Sequence, residues 1–245
     1  MGRHDRIAVH TLTGVRSGDS LAVADLGAGH GRTTAAVLAH AARAGVSVRV
    51  HAVDAASGLD DDVLRDDRVR SVIADLDEPL TFADASLDRI VCVNLLEHLA
   101  DPAAFIEECG RALRPGGLLV LAHSDWDTSL FAGADPARTR RLVDRFVSLV
   151  PAWAERSDGF MGRKLLDLAA QSSLELSAVD SWADPHQRFD RDSIAWKIAA
   201  GVVHAAEGDP AARQDALAWL ADLQSLADQG RFLFIVTDVA VVLRK

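Results

Sequence analysis

Tyrosine is absent from the chain. No phenolic group is available to take a proton, so any general base must come from another residue type. Cysteine is nearly absent too, with only Cys92 and Cys109 in 245 residues. Cys92 lies in an apolar run and Cys109 in a helical pattern. Both read as reduced, buried thiols of a cytoplasmic protein rather than a disulfide. Two cysteines without histidines at ligand spacing make no zinc site, and no metal is expected. Long apolar runs are missing: none approaches the roughly 20 residues needed to span a bilayer. No apolar stretch follows Met1 to Arg6, so no secretory signal is expected. Positive charge is in deficit, 26 Lys and Arg against 36 Asp and Glu, for a net charge of −10. An acidic surface argues against nucleic acid, whose phosphates need a basic one. The one basic cluster, Arg138, Arg140, Arg141 and Arg145, is interrupted by Asp144 and reads as a solvated helix face.

What is present is organised around Asp25-Leu26-Gly27-Ala28-Gly29-His30-Gly31. A short apolar run, Leu21 to Ala24, precedes it. A segment with helical spacing, Thr33 to Arg43, follows, and Gly45 ends that helix. Strand, glycine turn and helix form the layout of a nucleotide-cofactor site. The glycines permit positive φ and close approach of a ligand to the backbone. Their spacing, G-x-G-x-G, is not the G-x-G-x-x-G of dinucleotide binders.

Three more strand signals follow at βα spacing. Val46 to Asp54 alternates and is β-branched. It ends in Asp54, followed by Ala55, where a carboxylate beside the glycine loop can accept both hydroxyls of a ribose. Arg70 to Asp75 ends in a second acid. Asp75-Leu76 can offer a carboxylate to an adenine amino group and an apolar face to its ring. Leu87 to Asn94 is nearly continuously apolar, as a central parallel strand is. Asp101-Pro102 starts a helix, as cap and first residue. Arg114-Pro115-Gly116-Gly117 breaks that helix, and Leu118 to Ala122 is the fifth strand. Asp25 and Gly27, Asp54, Asp75, Asn94 and His123 all fall at strand carboxyl ends, where ligands bind in open α/β sheets.

The second half is less regular. Helical spacing runs over Arg138 to Val150 and Arg163 to Gln171, with strand alternation over Leu174 to Asp180. Helices are expected around 193–206 and 210–227, and a last strand over Arg231 to Leu243. We expect a single domain over 1–245: an N-terminal helix or flexible arm over 1–20, a cofactor-binding core over 20–125, and cap helices over about 126–172 and 183–230.

The chain resembles the class I S-adenosylmethionine-dependent methyltransferases of the UbiE-like branch. Four features carry the resemblance: the glycine motif Asp25–Gly31, Asp54 as the ribose acid, Ala74-Asp75-Leu76 as the adenine motif, and Asn94 to Pro102 followed by Arg111 to Gly117. It covers about residues 20–125 motif by motif. It implies a Rossmann-like, seven-stranded, mostly parallel sheet with helices on both faces and a small helical cap. The last strand would be inserted antiparallel. It also implies S-adenosyl-L-methionine as cofactor, held by Asp25, Gly27, Ala28, Gly29, Gly31, Asp54, Ala55, Asp75, Leu76 and Asn94. Asp25 would serve near the methionine end or orient the loop. Arg32 is a further candidate for the cofactor's carboxylate.

The acceptor is less determined. The expected partner is a small molecule methylated at O, N or C, in secondary metabolism or as a quinone precursor, by a monomer or homodimer. His123 is a candidate proton acceptor near neutral pH, and Asp125 and Trp126 are candidate acceptor contacts. Trp153, Phe160, Met161, Trp182, Phe189 and Trp196 can line an apolar pocket or simply pack. Two other classes stay open. A nicotinamide-dependent oxidoreductase is opposed by the glycine spacing and the missing Tyr-x-x-x-Lys pair. A non-catalytic binder of the cofactor or its product would keep the loop and show no turnover.

Overall fold

A computed structural model describes residues 1–132, 135–149 and 157–245. Helix α1 (Arg3–Thr11) precedes β1 (Ser20–Leu26), α2 (Arg32–Ala44), β2 (Ser47–Asp54), the single turn α3 (Asp61–Leu64), β3 (Val69–Ile73) and β4 (Leu87–Val93). A 3-10 turn (Leu96–His98), α4 (Pro102–Ala112) and β5 (Leu113–Ala132) follow. The rest is α5 (Pro136–Val147), α6 (Met161–Gln171), β6 (Glu175–Trp182), α7 (Ile194–His204), α8 (Pro210–Asp228) and β7 (Leu233–Arg244).

The strands form one sheet of order β3-β2-β1-β4-β5-β7-β6, mixed and mostly parallel. The last strand in sequence is inserted between β5 and β6. Parallel ladders join β1 to β2, β1 to β4, β2 to β3 and β4 to β5. The chain order reverses direction across the sheet at β1 and β4, the place where open α/β sheets bind ligands.

The residues divide into two compact units. The first comprises Met1–His123, Lys164–Ser181 and Val239–Lys245. Its centre is apolar: Val23, Leu38, Ala41, Val48 and Val50 pack together under α2, and Ile90, Val91 and Leu118 to Leu121 are buried. Asp101 caps α4 by accepting the Ala104 N–H, with Pro102 at the first position. Helix α1 is docked rather than a loose arm. Ile7 and Ala8 are fully buried, and His40 and Asp180 bond its Asp5 and His10.

The second unit comprises Ser124–Arg163 and Trp182–Asp238. Its helices α5, α7 and α8 start on Asp135, Ser193 and Asp209, each accepting a first-turn N–H. Phe131, Trp219, Phe232, Phe234 and Phe189 form an aromatic cluster, with Phe131 edge-on to Trp219 at 4.9 Å between centroids. The Trp219 indole N–H donates to the Thr139 hydroxyl of α5 at 3.0 Å, which keeps its polar edge satisfied in the core.

Two elements differ from the sequence reading. Strand β5 extends from Leu113 to Ala132, well past Ala122. Its residues from Asp127 to Phe131 alternate in exposure after a continuous buried run, so a local window sees two patterns. The Arg114-Pro115-Gly116-Gly117 segment follows the end of α4 as expected, but it lies inside β5 instead of before it. The Gly116 N–H donates to the Lys245 carbonyl and the Lys245 N–H to the Gly117 carbonyl, a pairing with the far end of the chain. Val150, the far end of the helix expected from Arg138, lies outside the described residues.

Candidate functional site

The glycine turn follows β1 directly. Gly27, Gly29 and Gly31 all have left-handed backbones, with φ of 76°, 53° and 78°. The Gly27 and Ala28 N–H groups donate to the Val53 carbonyl at 2.8 and 3.0 Å, tying the turn to the end of β2. The space is as restrictive as the dihedrals. A Cβ on Gly27 would lie 3.0 Å from the Leu95 Cβ, and one on Gly31 would lie 2.9 Å from Leu59 and Val63.

Asp25 sits under this turn, 1% exposed, and accepts the Thr34 hydroxyl at 2.6 Å. Burial pushes its carboxyl up to about 6, against the opposing Thr34 hydrogen bonds, and the nearby Asp54 charge adds to the rise. Asp25 therefore links the end of β1 to the first turn of α2.

Asp54 closes β2 and is half-buried. Its Oδ2 accepts the Gly29 N–H at 2.8 Å, which places the carboxylate against the glycine turn. Ala55 follows, exposed. Asp75 lies just past β3, exposed, and accepts the Asp77 N–H, while Leu76 is buried. Asn94 follows β4 with φ 53°, and its Oδ1 accepts the Arg3 guanidinium of α1 at 2.8 Å. The next residue, Leu95, is the one that crowds Gly27. The structure thus brings the glycine turn, Asp54 and the Asn94–Leu95 corner together at the carboxyl ends of β1, β2 and β4.

His123 ends the first unit's stretch of β5 and is fully buried. Its Nε2 lies 3.7 Å from Glu97 Oε1, and His98 Nε2 lies 3.7 Å from the same oxygen. Glu97 is itself buried. Sequence reading passed over Glu97 and Arg3. Glu97 lay inside the Asn94 to Pro102 segment without a role of its own, and Arg3 stood in an arm without a motif.

Asp125 and Trp126 open the second unit. Asp125 is buried, and both its oxygens are held by Arg163: Nε to Oδ2 and Nη2 to Oδ1, each 2.7 Å, with the Arg163 backbone N–H adding a third bond. These hydrogen bonds raise the guanidinium above its ordinary value. Trp126 packs within the second unit's apolar cluster, as does Phe189, with Phe160 and Trp196 against it. Met161 and Trp182 are buried, and Trp153 lies outside the described residues. The basic face of α5 is paired with acids: Arg138 with Asp215 and Asp222, Arg140 with Asp127 and Asp144, Arg141 with Asp215 and Arg145 with Asp209. That matches a solvated, ion-paired helix face. Cys92 and Cys109 are buried and unbridged, and burial raises both thiols. Among the described residues no cluster of three or more His, Cys, Asp or Glu could hold a metal ion, and no helix is long and apolar enough to cross a membrane.

Comparison with known proteins gives the same segment. A family described as "Methyltransferase domain" matches residues 24–121. Over 75 residues the chain is 41% identical to the ubiquinone biosynthesis O-methyltransferase of Xanthomonas oryzae, covering 31% of this chain and 30% of that protein. The alignments to the first curated relatives span roughly 30% of those relatives' length. Among solved structures, the YcgJ protein of Bacillus subtilis superposes with a TM-score of 0.59 at 18% identity over 99% of both chains. A geranyl diphosphate C-methyltransferase of Streptomyces coelicolor, solved with S-adenosyl-L-homocysteine, superposes with a TM-score of 0.51 at 14% identity, over 98% of this chain and 74% of that one. At such identities the superpositions speak for the fold.

Proposed function

We propose that this chain, whose residues 24–121 match the family described as "Methyltransferase domain", is a class I S-adenosylmethionine-dependent methyltransferase that transfers the cofactor's methyl group to a small-molecule acceptor. The observation that carries the reading is the Asp54 carboxylate held on Gly29 beside a turn where Gly27 and Gly31 have no room for a Cβ. That cradle fits a nucleoside without phosphate. Its acid accepts ribose hydroxyls, and its bare backbone allows close approach. Asp54 with Ala55 takes the ribose. Asp75 and Leu76 take the adenine amino group and ring. Gly27, Ala28, Gly29 and Gly31 line the path of the chain beyond the ribose, and Asn94 meets the methionyl end. Asp25 keeps the turn in place through Thr34.

The bound cofactor supplies an activated methyl on a positively charged sulfur. The chain's own work is to hold the two reactants in line and keep water out. Where the acceptor is a hydroxyl or an acidic carbon, His123 takes its proton, with Glu97 stabilising the imidazolium that forms. We assign acceptor contacts to Asp125 and Trp126, Asp125 in the orientation fixed by Arg163. An O-methyltransferase of ubiquinone biosynthesis among the relatives supports an oxygen acceptor, and a structural neighbour named as a geranyl diphosphate C-methyltransferase supports small molecules more widely. We place the protein in the cytoplasm, as a monomer or homodimer. Its net charge of −10 supports an acceptor other than nucleic acid.

Thermal denaturation with added ligands tests the cofactor. S-adenosylmethionine and S-adenosylhomocysteine should raise the melting temperature, and NAD(P) should not, because only ligands of the native state stabilise it. Stabilisation by NAD(P) alone refutes the reading.

A further inference from the structure

We infer that the outer edge of β6 is an interface between two copies of this chain, the two strands pairing antiparallel about a two-fold axis at Ser177. It concerns the sheet edge alone and is independent of the cofactor reading.

An open sheet has two edges, here β3 and β6. An edge strand offers a row of unpaired N–H and C=O groups, and proteins guard it by shortness, charge, proline or a bulge. Strand β3 is guarded: it has five residues and carries the exposed Arg70. Strand β6 has eight residues, Glu175–Trp182, and no proline, glycine, lysine or arginine. Two of its apolar side chains stand in solvent, Leu176 at 44% and Val179 at 52% exposure. Val9, also exposed, precedes His10 of α1, whose ring bonds Asp180 of the strand. An edge of this kind takes up another strand.

Charge points to a second copy as that strand. Successive side chains alternate between faces, so Glu175, Ser177 and Val179 lie on one face and Leu176, Ala178 and Asp180 on the other. A two-fold axis normal to the sheet keeps the faces matched across the join. The strand's two acids are on opposite faces, so Glu175 never opposes Asp180. Centred on Ser177, the pairing sets Ser177 against its own copy, Leu176 against Ala178 and Glu175 against Val179. No like charges meet, and the two Leu176 side chains become diagonal neighbours.

Other registers fit less well. Centring on Glu175 opposes two carboxylates. Centring on Leu176 draws in Leu174, which is buried ahead of the strand. Centring on Ala178 or Val179 draws in Ser181, whose N–H is taken by the Asp180 carboxylate at 2.8 Å. Pairing over Glu175 to Val179 is a short join, below the roughly 1,000 Å² that a stable interface buries. The dimer is therefore weak and forms with concentration. Backbone hydrogen bonds and register give it specificity.

Sedimentation velocity over a concentration series reads the assembly. The wild type should pass from monomer to dimer as its concentration rises towards about 1 mM. Ser177→Lys sets two ammonium groups against each other at the axis and should weaken dimerisation about fivefold or more. Val179→Lys sets the same charge against Glu175 of the second copy and should leave dimerisation as strong or stronger. Both positions are exposed, so both variants should melt with the wild type. Ser177→Cys reads the register separately. Under oxidised glutathione it should form a covalent dimer faster than Val179→Cys does, and the wild type should form none, because Cys92 and Cys109 are buried. A wild type that stays monomeric throughout leaves the edge to some other partner and overturns the proposal. A dimer that Ser177→Lys leaves unchanged, or that both lysine variants weaken equally, has its interface elsewhere and overturns it too. So does faster crosslinking of Val179→Cys.

Discussion

At the scale of single residues, Asp54 and Asp25 are both strand-end carboxylates, yet their surroundings give them different work. Asp54 is half-buried and bonded to a backbone N–H, so it stays an acceptor. Asp54→Ala should weaken S-adenosylhomocysteine binding by about tenfold or more, since two ribose hydroxyls lose a charged acceptor. Calorimetric titration reads this directly, and unchanged affinity removes Asp54 from the ribose. Asp25 is buried, with a folded-state carboxyl at about 6 against an ordinary 3.8. Folding therefore binds a proton in this window. The contribution is fully present below about pH 4 and is lost as pH rises through about 6. Asp25→Asn keeps an acceptor for Thr34 and has no charge to bury. The stability difference between Asp25→Asn and wild type should then shift in the variant's favour from about pH 4 to about pH 7, by on the order of 3 kcal/mol. Denaturant melts at both pH values measure it, and a difference independent of pH refutes the assignment. Asp25, Asp54 and Asp75 were all legible in the sequence, because a residue ending a strand needs only local pattern to be placed. Their opposite environments were not, since burial depends on what packs above them.

At the scale of elements, the glycine turn was readable because its chemistry is local. Left-handed backbone and crowding by Leu59 and Val63 both demand glycine at Gly31. Gly31→Ala should destabilise the protein by about 2 kcal/mol or more, combining the left-handed penalty with steric displacement. Gly230 offers the control. Its φ is 67° and an added Cβ there meets nothing within 4 Å. Gly230→Ala should cost only the conformational part, about 1 kcal/mol. Equal melting temperatures for the two variants would show that packing against the turn is unimportant. Helix α1 shows the opposite limit of legibility. The segment could be read as a helix or an arm, but its docking rests on contacts such as that of Arg3 with Asn94, 91 positions apart. No local signal carries such a pairing. The same holds for β5, whose continuation past Ala122 follows from its neighbours in the sheet rather than from its own periodicity.

At the scale of the whole molecule, the first unit carries recognisable motifs and the second carries ion pairs that only folding reveals. Arg163 stood in the sequence as the start of a helix, and Asp125 as a candidate acceptor contact. Folded, they form a forked pair, with Arg163 also reaching Asp127 at 2.8 Å. The carboxylate is buried while the guanidinium is about half exposed. Losing the cation therefore strands a desolvated charge, whereas losing the acid frees an arginine that water can solvate. Arg163→Gln should cost on the order of 3 kcal/mol, below the upper range for fully buried pairs because solvent reaches the arginine side. Asp125→Asn should cost less, because the amide keeps an oxygen for the guanidinium and buries no charge. The double variant should lie close to Asp125→Asn, since the stranded charge is gone. A double-mutant cycle in denaturant melts measures these terms. Additive losses from the two substitutions would show that the pair contributes nothing to the second unit, and would return Asp125 to the role of an uncommitted acceptor contact.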